Sequence, residues 1–226
     1  AAGEAFAKAL FLGGVTHRFP DLKFCFLEGG VGWAANLYND LCEHWEKRNM
    51  TALRANLDPG AVDREQMRAL FEEYGNAQYR GHAAEIEKGY DHPLMAPTGE
   101  EPEPTDEFAA CGISKGRDIY KRFVPNFYFG CEADDRMAAT AFNPRLNHFD
   151  ARLKAMFGSD VGHFDVPDMT QVLAEAFELV KHELITQDDF RDFTFTNVAE
   201  LHASMNPEFF KGTVVEHDVA KLMASR

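Results

Sequence analysis

Three apolar runs of strand length each end in an acid: one closes at Glu28 ahead of Gly29-Gly30, one at Glu132 ahead of Ala133-Asp134-Asp135, and one at Asp160 ahead of Val161-Gly162-His163. In parallel α/β proteins the carboxyl ends of the strands open onto one face, and that face carries the active site. Three carboxylates gathered there repel one another unless a cation or a proton stands among them. The pattern therefore points to a divalent metal or to an acid held protonated. The plainer alternative is that acids favour the helix starts that follow strands, where the macrodipole welcomes them. Asp160 stands apart because Gly158 and Gly162 bracket it and an imidazole, His163, follows three positions on. A carboxylate so placed can bind a metal or accept a proton, and His163 can carry a proton or orient it. As an ordinary loop residue, His163 would simply hydrogen-bond to backbone.

Other carriers of chemistry are missing. No His-x-His or His-x-x-x-His pair, Gly-x-Ser-x-Gly elbow, phosphate loop or dinucleotide fingerprint occurs. Cys25, Cys42, Cys111 and Cys131 form no Cys-x-x-Cys pair, and Cys25 and Cys131 sit in apolar runs where a small buried hydrophobe is expected. His44, on the apolar side of a helical pattern, reads as a core residue.

The elements that must position the acids follow a simple grammar. Residues 2–18 place Ala5, Phe6, Ala9 and Leu10 on a helical stripe that stops at Pro20. Residues 23–28 read as a strand, 33–47 as a helix with Trp33, Leu37, Leu41 and Trp45 on one side, and 60–89 as helical. The stretch 91–107 holds Pro93, Pro97, Pro102 and Pro104 and reads as an excursion. Helix 114–122, strand 127–132, a short helix after Asp134 and strand 155–160 resume the grammar. A carboxyl-terminal helical region follows, with Met169, Leu173, Ala176 and Phe177 on its expected buried side. The long insertion between the first two strands favours a decorated barrel over a flavodoxin-like sheet.

The 226 residues carry 37 acids against 23 bases, a formal charge of −14, so nucleic acid and anionic membrane surfaces are poor partners. No apolar run approaches the roughly 20 residues of a membrane span. Glu4 and Lys8 interrupt any signal-peptide core, and a cytoplasmic location is the expectation.

The segments Arg18-Phe19-Pro20-Asp21-Leu22-Lys23, Phe26-Leu27-Glu28-Gly29-Gly30-Val31-Gly32-Trp33 and Phe157-Gly158-Ser159-Asp160 together resemble the amidohydrolase-type metal-dependent hydrolases of the amino-carboxymuconate-semialdehyde decarboxylase group. Asn197, in Phe195-Thr196-Asn197-Val198-Ala199-Glu200-Leu201, is similar to that group's terminal-helix asparagine motif. The resemblance implies a TIM (β/α)8 barrel whose site holds a divalent metal, zinc or manganese. It also implies hydrolysis or decarboxylation of a small, aromatic or carboxylated molecule. Asp160 matches the group's last-strand aspartate, metal ligand and proton acceptor. Glu28 falls where many members have a histidine and is the second ligand candidate.

The group's first-strand His-x-His and fifth-strand histidine have no counterpart here. With the three runs taken as strands six to eight, the expectation is an α/β chain forming the carboxyl-terminal portion of a barrel. Its amino-terminal part would precede residue 1, and 55–112 would be a helical, Pro-rich insertion. That expectation also accounts for a start without methionine inside a helical pattern. The site reading is Asp160 and His163 catalytic, Asp160 and Glu28 on the metal, and Glu132 and Trp33 on substrate, in a homo-oligomer (dimer). Two rivals remain: a non-catalytic interaction or oligomerisation module, and a metal-free acid/base enzyme using Glu28 and Glu132.

Overall fold

A computed structural model describes residues 2–56, 61–89 and 106–225. The helices are α1 (Ala2–Leu12), α2 (Val15–Arg18), α3 (Gly32–Arg48), α4 (Met50–Asn56), α5 (Arg64–Tyr74), α6 (Ala83–Gly89), α7 (Glu107–Ala110), α8 (Gly116–Phe123), α9 (Val172–Ala176), α10 (Glu178–Lys181), α11 (Gln187–Arg191), α12 (Asn197–Met205) and α13 (Glu216–Ala224). The strands are β1 (Phe24–Phe26), β2 (Phe127–Cys131) and β3 (Lys154–Phe157). The chain divides into two compact units, one of residues 1–46 and 107–226 and one of residues 47–106.

In the first unit the three strands make one open, all-parallel sheet in the order β1-β2-β3, with Phe24 beside Phe127 and Tyr128 beside Lys154. The protein is thus mixed α/β. The alternation of side chains along the strands sorts the sheet into two faces. On one, Phe24, Phe26, Phe127 and Phe129 join Phe123 of α8 and Trp33 of α3 in a chain of ring contacts. Phe123 meets Phe127 with centroids 4.9 Å apart, and Trp33 meets both Phe26 and Phe129 at 5.4 Å. Phe11, Phe123, Phe127 and Phe129 are almost fully buried, so this face is the main core. On the other face Tyr128 and Met156 pack under Leu201 and Val198 of α12. The Asn126 amide, also buried, donates to the carbonyls of Pro20 at 2.8 Å and Leu22 at 2.7 Å, tying the entrance of β1 to that of β2.

The two outer strands differ. Along β3, the π-helical turn Asp192–Thr196 places Phe193 against Phe157 at 5.9 Å, and the Asn197 amide donates to the Ala155 carbonyl at 2.8 Å. β1 pairs with β2 and forms the opposite edge.

In the second unit, Asp63 caps α5 by accepting the Gln66 N–H at 2.9 Å, and Phe71 of α5 meets Tyr79 at 6.1 Å. The proline-rich excursion lies, for residues 91–105, outside the described residues.

Several expectations change. The helix over 2–18 breaks at Gly13-Gly14, where Gly14 takes φ 69°, so α1 and α2 are separate. Cys25 is exposed, because β1 is an edge strand and Cys25 lies on the face opposite the phenylalanines. His44 is exposed rather than in the core, while Leu37 and Leu41 are buried. The segment after Asp134 is a 3-10 helix, Arg136–Phe142. In the carboxyl-terminal region Ala176 and Leu179 are buried, whereas Met169 and Leu173 are exposed. No helix among the described residues is long and apolar enough to cross a membrane.

Candidate functional site

Each strand stops short of its acid. β1 ends at Phe26, and the chain then turns through Glu28 at φ 57° and Gly30 at φ 64°. The Gly30 N–H donates to the Gly130 carbonyl at 3.0 Å, and a Cβ on Gly30 would come within 2.7 Å of the Asp135 carboxylate. β3 ends at Phe157, the Gly158 N–H donates to the Cys131 carbonyl at 2.7 Å, and Asp160 takes φ 47°. Glu28 and Asp160 are thus non-glycine residues in the left-handed region, a conformation that is costly for L side chains and concentrates at functional sites.

The turns bring the acids together. Glu28, Glu132 and Asp160 line one hollow of about 390 Å³ at the carboxyl ends of the strands. Its floor comes from Cys25, Leu27, Gly130 and Met156, and its wall from Val198, Leu201 and His202 of α12. Glu132 and Asp160 also line a second, more acidic hollow of about 670 Å³ with Asp134, Asp165, Asp168 and Glu175. Burial, and then the negative charges of Asp160, Asp134, Asp165 and Asp135, push the Glu132 carboxyl above the usual glutamate range.

His163 Nδ1 stands 3.6 Å from Asp160 Oδ2, and the His163 N–H donates to the Asp160 carbonyl at 3.0 Å. The two side chains are neighbours at a separation longer than a hydrogen bond. Trp33 is elsewhere: it packs on Phe26 and Phe129, the sheet face opposite Leu27 and Met156, and lines neither hollow.

Among the described residues, no three His, Cys, Asp or Glu side chains are grouped to hold one metal ion. Glu28 and Asp160 share a hollow without a third donor converging on them, while zinc takes four ligands, at least three of them from protein. Taken alone, the described residues do not fit the expected metal centre.

The sequence reading did not single out Cys25, Met156, Leu201 or His202 as lining. Two-residue alternation back from Leu27 marks Cys25, and alternation in β3 marks Met156. The α12 residues carry no such local signal, because their place on the sheet depends on the return of the chain after β3. Comparisons with family models, with curated proteins and with solved structures return no match.

Proposed function

We propose that the protein is an enzyme of the amidohydrolase type that its motifs resemble, a hydrolase or decarboxylase of small molecules built on part of a TIM barrel. The observation that carries this reading is that three sequential parallel strands deliver Glu28, Glu132 and Asp160 to one apolar-floored hollow. Sequential parallel order with helical connections is the order of barrel strands.

Within the site Asp160 accepts a proton from water or substrate, and His163, at 3.6 Å, takes up the charge change by orienting and relaying that proton. Glu132, which lines the same hollow and whose carboxyl is raised by burial and by its acidic neighbours, is the candidate to return a proton to a leaving group. Because the described residues do not complete a metal centre, no step is assigned to zinc or manganese.

A panel of small amides, esters and aryl carboxylic acids, assayed with the full chain, tests the reading. Turnover that falls about 100-fold or more in Asp160→Asn supports it. Turnover indifferent to that substitution, or none on any substrate, overturns it. The latter result would support the second reading, a non-catalytic interaction module.

A further inference from the structure

The 390 Å³ hollow has a mixed lining. Leu27, Met156, Val198 and Leu201 give it apolar surface, and Glu28, Glu132 and Asp160 give it carboxylates. Among the described residues no lysine or arginine lines it. Of the lysines nearest that sheet face, Lys154 stands at the far end of β3 and is held by Glu200 at 2.6 Å, and Lys23, just before β1, lies close to the same pair. The lining imidazole, His202, lies flat on Phe209 with centroids 4.2 Å apart. The volume falls within the roughly 300–1,000 Å³ of small-molecule pockets, which are mostly apolar with a few placed polar groups.

We propose that this hollow binds a small organic cation, an aryl- or alkyl-amine. Its apolar body lies on Met156 and Leu201, and its ammonium sits in the negative field of the acids that line the hollow, Glu28, Glu132 and Asp160. The inference rests on the proposed function in taking the strand-end hollow as the place where substrate binds, and it names the substrate class. Charge complementarity selects the occupant. A carboxylated ligand would bring a further negative charge to a hollow lined by three acids and, among the described residues, no lysine or arginine, whereas an ammonium forms charge-assisted hydrogen bonds there. The crowding that raises Glu132 is relieved by the same cation.

The test is calorimetric titration of the full chain at neutral pH, in EDTA so that no metal ion neutralises the acids. Three probes share one apolar body: 2-phenylethylamine, 2-phenylethanol and 3-phenylpropionate. The amine is expected to bind about tenfold more tightly than the alcohol, and the carboxylate more weakly than either. Glu28→Gln, at an exposed position, and Asp160→Asn weaken the amine and leave the alcohol unchanged. Leu201→Trp, which fills the hollow, weakens both. Equal affinity for amine and alcohol, or preference for the carboxylate, overturns the choice of a cation while leaving the hollow as a binding site. No binding of any probe, or binding untouched by Leu201→Trp, overturns the inference and the site reading together.

Discussion

Asp160 and His163 face one another across a tight turn, with carboxylate to ring nitrogen at 3.6 Å and backbone N–H to carbonyl at 3.0 Å. The turn holds the carboxylate on the strand-end hollow and the imidazole on its solvent side, with side chains 24% and 53% exposed. Under the proposed function, proton exchange with water would fall to His163 and contact with a bound molecule to Asp160.

That division makes the two residues unequal under substitution. Asp160→Asn is expected to lower kcat about 100-fold or more. Stability should change by no more than about 0.5 kcal/mol, because asparagine tolerates the left-handed conformation. His163→Gln is expected to cost about tenfold in kcat. Steady-state kinetics and thermal melts of the two variants check both.

Glu132 carries an opposite stability signature. Its folded-state value lies above the ordinary glutamate value of 4.5, so its contribution to stability is intact below that value and is lost as pH rises through the raised one. Glu132→Gln should therefore stabilise the protein at pH 7, by a few tenths of a kcal/mol given its exposure, with no gain at pH 4. Urea melts at the two pH values read the difference.

Asp189 behaves the other way. Burial opposes its ionisation, but the N–H and hydroxyl of Thr186 and the guanidinium of Arg152 outweigh burial and hold its carboxyl below the ordinary value of 3.8. The stability it supplies is complete above that value and is lost as pH falls through the depressed one. Arg152 also reaches Asp192 at 3.2 Å, so one cation secures both α11 and the π-helical turn that flanks β3. Asp189→Ala is expected to cost about 3 kcal/mol at pH 7 and progressively less in acid, as read by denaturant titration.

Phe129 is fully buried between Phe26, Trp33 and Phe123. Phe129→Ala is expected to destabilise by about 3–5 kcal/mol and to disturb Trp33 fluorescence, since it opens a cavity at the centre of the sheet.

For metal, the expected outcome follows from the two-carboxylate donor set of Glu28 and Asp160. After dialysis against buffer without chelator, the chain should retain far less than one zinc or manganese per molecule, measured by elemental analysis. Stoichiometric metal that is lost on Asp160→Asn would instead restore the metal-dependent mechanism.

The strands and their acids were legible in the sequence because short Phe-rich runs closed by Gly-Gly or Gly-x-Asp are local signals. Three strands, their helical connections and the gathering of Glu28, Glu132 and Asp160 follow from them. What local pattern did not reveal depends on distant partners. Cys25 has the same apolar neighbours as Cys131, yet one is exposed and the other buried, because β1 is an edge and β2 is central. Trp33 follows the glycine turn closely enough to look like a site residue, but the first turn of α3 directs it into the phenylalanine cluster. The wall of the hollow was equally hidden, since Val198, Leu201 and His202 reach it only after the chain has passed through the π-helical turn.

The register of β1 on β2 joins Phe24 to Phe127, closing a loop of roughly 100 residues before the first ladder bond forms. Short-range contacts, such as those between α5 and α6, cost far less to close and can form as soon as their own segments exist. During synthesis β1 cannot make these ladder bonds until β2 has left the ribosome. The acid-lined hollow, which needs β1, β2 and β3 side by side, is consequently among the last features to mature.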